Sequence, residues 1–84
     1  MTEHKGLPVE GYKAQPEHKV QAVNLNKRDE ERVLRVLDEL SKAPDVDQRW
    51  LAIGRAHIEQ GYMAINRAIF RPSRISLPED GAML

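Results

Sequence analysis

The chain has no cysteine, so it can build neither a disulfide framework nor a thiolate metal site. Aromatic residues are scarce: one Trp, two Tyr and one Phe in 84 positions. At that length the chain forms one domain at most, and a small domain struggles to gather a core of its own. Excess charge of either sign is also missing. Thirteen Lys and Arg balance thirteen Asp and Glu, which argues against a polyanion binder that works through a broad basic surface. No apolar run approaches the roughly 20 residues needed to span a bilayer. The opening stretch MTEHKGLPVEGY carries no hydrophobic signal core, so a small soluble cytoplasmic protein is expected rather than a secreted one.

What is present is helix-forming sequence. Residues 1–15 form a polar arm with Gly6, Pro8 and Gly11. Pro16 suits the first turn of a helix, where its missing N–H costs nothing. From there to Ala43 neither Gly nor Pro occurs, and Glu, Arg, Leu and Lys dominate. Glu31 and Arg35 stand at a favourable i,i+4 spacing. The expectation is a helix over 16–43, stopped by Pro44, and then a short connector. Asp47 is a suitable N-cap for a second helix over 47–71, which must end before Pro72. The tail, 72–84, mixes Pro, Ser and Gly and is expected to be irregular. The fold class is therefore all-α: an arm, an antiparallel hairpin of two long helices and a tail, within one helical domain spanning 1–84.

Two helices share a single seam, yet the second helix is apolar around much of its circumference. One stripe reads Leu51, Gly54, Ile58, Gly61, Ile65, Ala68; Gly54, Gly61 and Ala68 repeat every seven residues. Each helix-interior Gly costs roughly 1 kcal/mol against Ala, so the pair suggests tight packing or a ligand. Trp50, Ile53 and Ala64 lie on another face, and Ala52, Ala56, Met63 and Phe70 on a third. The first helix cannot cover all of this, so homo-oligomerisation is expected. In the first helix the stripe Val20, Val23, Leu34, Leu37, Leu40 is interrupted at Lys27 and at Glu30 or Glu31. Either Lys27 snorkels past its neighbours into solvent, or the seam opens onto a polar pocket there and Lys27 meets an anion.

No catalytic set is complete. His57 and Glu59 lack the second His of a zinc helix motif, and His4 and His18 are scattered. Ser41, Ser73 and Ser76 have no evident base, and Gly-rich phosphate loops are absent. Glu59 and Arg55 are expected to pair at i,i+4. Binding features are better. Tyr12, between Gly11 and Lys13, is either an anchor packed on the nearest helix or a stacking platform for a nucleobase. Lys27 and Arg28 offer a point charge and a fork to phosphate. Arg67, beside Asn66, is either an interchain ion-pair partner or an anion contact. In a symmetric oligomer each such residue is repeated around an axis.

The run DQRWLAIGRAHIEQGYMAINRAIFRP (Asp47–Pro72), preceded by NKRDEERVLRVLDEL (Asn26–Leu40) and GYK (Gly11–Lys13), resembles the small phage anti-CBASS proteins, which are cyclic-oligonucleotide sponges. The resemblance spans roughly residues 6–72. It implies a compact helical homo-oligomer, a hexamer, acting in the host cytoplasm. It implies sequestration, without cleavage, of cyclic dinucleotide and cyclic trinucleotide messengers of bacterial antiphage signalling, with no cofactor and no metal. By position, the dinucleotide pocket between two protomers maps onto Tyr12 for the base and Lys27 for phosphate, with Lys13 beside them. The trinucleotide pocket maps onto Arg67, with Arg28 in support. Neither DNA nor membrane is an expected partner.

Other readings differ in class. A small helical adaptor or assembly protein would bind another protein through the apolar helix face and would be a monomer or dimer. A phosphodiesterase or nuclease would destroy the nucleotide. A DNA-binding helical protein is disfavoured by zero net charge and the lack of a basic recognition helix.

Overall fold

The computed structural model describes residues 9–82; the part of the arm that holds His4, Gly6 and Pro8 lies outside the described residues. The order of elements is α1 (Glu17–Leu40), α2 (Gln48–Phe70) and α3 (Pro78–Ala82). Helices α1 and α2 pair as a hairpin, and no strand occurs among the described residues. At 1.5 Å per residue each long helix spans roughly 35 Å.

The helix ends follow from local chemistry. Pro16 is the N-cap of α1, one residue outside the helix, because its ψ of 154° is extended. Its carbonyl accepts from the N–H groups of Lys19 and Val20. Helix α1 ends at Leu40, short of the expected 43. The chain tightens there into three-residue turns, Lys42 N–H to Glu39 O and Ala43 N–H to Leu40 O, so Pro44 follows a helix that has already stopped. The Gln48 side-chain amide lies 3.2–3.3 Å from the carbonyls of Leu40, Ala43 and Val46 and holds the connector in place. Asp47 caps α2 as its sequence position suggests, accepting from Trp50 N–H at 3.1 Å. Helix α2 stops at Phe70 because Arg71 adopts a left-handed conformation, φ 49° and ψ 59°. The tail is not wholly irregular. Asp80 accepts from Leu77 N–H at 2.9 Å and starts the single turn of α3, an arrangement that satisfies one orphan donor of a helix start.

The seam runs through Val20, Val23, Asn26, Glu30, Val33, Leu34 and Leu37 of α1, and through Leu51, Gly54, Ile58, Tyr62, Asn66 and Ile69 of α2, all buried or half-buried. The expected α2 stripe is thus correct over its first two turns and wrong beyond. Gly61, Ile65 and Ala68 are exposed. A seven-residue repeat stays on one face only in a supercoiled helix; a straighter α-helix drifts by about 20° per heptad. The drift carries the contact line onto Tyr62, Asn66 and Ile69. It also means that Gly54 and Gly61 serve no close approach within the hairpin, since a Cβ at either position would meet nothing within 4 Å. In α1 the same one-residue offset applies. Lys27 is exposed beside the seam, and the seam position is taken by Asn26, whose amide donates to Asn66 Oδ1 at 3.0 Å.

One seam leaves the molecule wet. Among the described residues Val23, 3% exposed, is the single buried one. Trp50, Met63 and Ile65 of α2 remain 62%, 66% and 52% exposed.

Candidate functional site

The arm enters the fold at the open end of the hairpin, where α1 begins and α2 ends. Gly11 has φ +89° and its carbonyl accepts from Ser73 N–H at 2.6 Å. The turn continues with Tyr12 N–H donating to Val9 O at 3.3 Å. The Tyr12 side chain is left 52% exposed. Lys13 is exposed as well, and its carbonyl accepts from the Gln15 side chain. The same Gln15 amide bonds Phe70 O at 3.0 Å, supplying a donor to one of the terminal carbonyls that a helix end leaves unpaired.

Lys27 lies ten residues into α1, which is roughly 15 Å from its start. It borders two grooves. The first lies between the helices and is lined by Val23, Lys27, Glu30, Glu59, Met63, Asn66 and Phe70. Its floor is apolar and its edges carry one cation and two carboxylates. The second runs along the outer surface of α1, past Lys27, Arg28, Glu31, Arg32 and Arg35. There Arg32 pairs with Asp29 at 3.0 Å and Arg35 with Glu31 at 2.8 Å, the second pair as the i,i+4 spacing predicts. The Glu31 hydrogen bond, and then its charge, hold the Arg35 guanidinium above its ordinary pKa. Among the described residues Lys27 and Arg28 form no ion pair, so both cations are available to an anion. Arg28 also borders a third groove with His18, Gln21 and Leu25.

Arg67 is exposed in the last turn of α2, and its carbonyl accepts from Arg71 N–H at 2.7 Å. It lines none of these three grooves. Arg55 does not pair with Glu59. It crosses to Asp38 of α1 at 2.9 Å near the connector, because a half-buried guanidinium on the seam side reaches the facing helix more readily than its own exposed face.

A single chain therefore brings Lys27 and Arg28 together and leaves Tyr12 and Lys13 at the open end. None of the three grooves is lined by both Tyr12 and Lys27. Sequence reasoning missed Gln15, Asn26 and the backbone of Ser73. The signal for Asn26 was present: stepping three residues from Val23, instead of four, lands on it. Ser73 and Gln15 carry no such signal, since the partners they meet are main-chain groups distant in sequence.

Among the described residues no three His, Asp or Glu side chains gather as metal ligands, and no helix is long and apolar enough to cross a membrane. The arm, the two paired helices and the unpaired Lys27 and Arg28 define a small helical-hairpin protein. The chain belongs to the Acb2/Tad1 hairpin-domain family, whose description matches residues 5–70. That family is the anti-CBASS cyclic-oligonucleotide sponge family, which sequesters its ligands as a binding protein and not as an enzyme. No curated protein and no solved structure matches the chain.

Proposed function

We propose that this protein is a homo-oligomeric sponge, a hexamer, that captures cyclic dinucleotides and cyclic trinucleotides in the host cytoplasm and keeps them from the effectors of antiphage signalling. The family match over residues 5–70 carries this reading. Free messenger falls by mass action, and no bond in the ligand is broken.

One physical observation supports assembly: Trp50 and Ile65 of α2 are exposed on the face where Gly54 and Gly61 present no side chain. A neighbouring α2 backbone would come closest where the glycines lie.

The separation of Tyr12 from Lys27 in one chain supports a dinucleotide pocket between protomers. The Tyr12 ring of one chain stacks on a base, and Lys27 meets phosphate. Lys13 adds a second positive charge from the arm. Stacking contributes about 1–3 kcal/mol per base, and an ammonium suits a phosphate oxygen as a point charge. Arg67 and Arg28 are assigned to the trinucleotide, for which a guanidinium fork offers paired donors.

Calorimetry with cyclic di-AMP, cyclic di-GMP, cyclic GMP–AMP and cyclic tri-AMP tests the proposal. Saturable heat with at least one dinucleotide and with the trinucleotide is expected, and denaturing the complex should return the ligand intact. No heat with any of the four sinks the sponge, and a hydrolysed ligand would make the protein an enzyme.

A further inference from the structure

We infer that Gly11 and Gln15 are positioning residues that fix where Tyr12 stands, and that the chain beyond α2 is the wall against which they work. This rests on the ligand role proposed for Tyr12.

Three observations meet at the arm. Gly11 occupies φ +89°, which side-chain-bearing residues rarely adopt, and a Cβ there would lie 2.5 Å from Ser73 O and 3.4 Å from Ile75 Cγ2. Its carbonyl accepts from Ser73 N–H at 2.6 Å. Three residues past Tyr12, the Gln15 amide donates to Phe70 O at 3.0 Å and to Lys13 O at 3.2 Å. Tyr12 is thereby tied on one side to the tail at Ser73 and on the other to the end of α2 at Phe70, while its own ring stays half exposed. The left-handed turn at Arg71 brings Ser73 back alongside Gly11.

The physical consequence is preorganisation. An aromatic residue on a free arm must be ordered when the ligand binds, and that ordering subtracts from affinity. A ring whose neighbours are already hydrogen-bonded to the helix end and to the tail avoids part of that loss. Ser73 and Ile75 lie outside the matched span 5–70, so this wall is contributed by sequence beyond the family hairpin.

The experiment uses the full chain with the dinucleotide of the calorimetric panel that binds best. Gly11→Ala is expected to weaken binding on the order of tenfold, and Gln15→Ala several-fold, by restoring mobility to the arm. Assembly size and helix content should not change. In a Tyr12→Ala background, titrated at millimolar ligand, neither substitution should cause further loss. Ser73 amide exchange should be slow in the unsubstituted chain and at least tenfold faster in Gly11→Ala. Unchanged affinity in both variants overturns the inference, as does an equal loss without Tyr12 or a Ser73 amide that exchanges freely from the start. A chain that binds no dinucleotide yet protects Ser73 instead overturns the ligand role of Tyr12, so the two failures are told apart.

Discussion

Asn26 of α1 and Asn66 of α2 face each other across the hairpin, joined by one side-chain hydrogen bond of 3.0 Å in a mostly apolar seam. A half-buried amide left without its partner loses more than the bond itself is worth, because its desolvation remains. Asn66→Leu alone is therefore expected to lower stability by roughly 1 kcal/mol. Asn26→Leu with Asn66→Leu should recover most of that, since apolar residues replace both polar partners. Urea midpoints of the two variants check the order.

Gly61 is exposed, and a methyl group there meets nothing in the hairpin. Gly61→Ala should therefore stabilise an isolated helix by about 1 kcal/mol. If a second copy packs on this face, the same methyl group holds the backbones apart. Light scattering is expected to show a lighter particle for the variant than for the parent chain. An unchanged mass with a raised melting temperature would remove Gly61 from any interface.

Arg71 holds a left-handed conformation at the end of α2, where glycine is the usual occupant. A side chain in that region costs roughly 1–2 kcal/mol, part of which is offset because glycine loses more freedom on folding. Arg71→Gly is expected to raise stability by about 0.5–1 kcal/mol, measured by thermal unfolding.

The two proposed ligand classes separate by residue. Tyr12→Ala and Lys27→Ala should weaken cyclic dinucleotide binding by about tenfold or more each, as loss of one stacking or one charged contact implies. Cyclic tri-AMP binding should be spared. Arg67→Ala should do the reverse, with a smaller effect from Arg28→Ala. Raising salt should weaken the Lys27-dependent part of the affinity, because exposed charges are screened. Equal losses for both ligands in one variant would mean a shared pocket.

The hairpin was legible because long helices announce themselves locally. Asp47 three residues before the Trp50 N–H, Glu31 four before Arg35, and Pro kept out of the two long helices are all neighbour effects. The middle of the seam was not. Choosing between Asn26 and Lys27, or between Gly61 and Tyr62, depends on whether the helices supercoil, and periods of 3.5 and 3.6 residues diverge only over several turns. The Arg55 pairing failed for a similar reason. Its sequence neighbour Glu59 and its cross-helix neighbour Asp38 are both acidic, and only the packing angle selects one.

Sequence alone settled the helical class, the presence of two long helices, the shortage of core and the family, because each rests on local propensity, composition or an ordered motif. Tertiary structure decided what those residues face. It moved the polar contact of the seam from Lys27 to the Asn26–Asn66 pair and left Lys27 at a groove edge. It left both α2 glycines open. It bound the Tyr12 arm to main-chain groups of Phe70 and Ser73. These arm contacts join positions some 55 to 60 residues apart, and backbone carbonyls and amides recur along the whole chain, so no pattern of side chains could have named them.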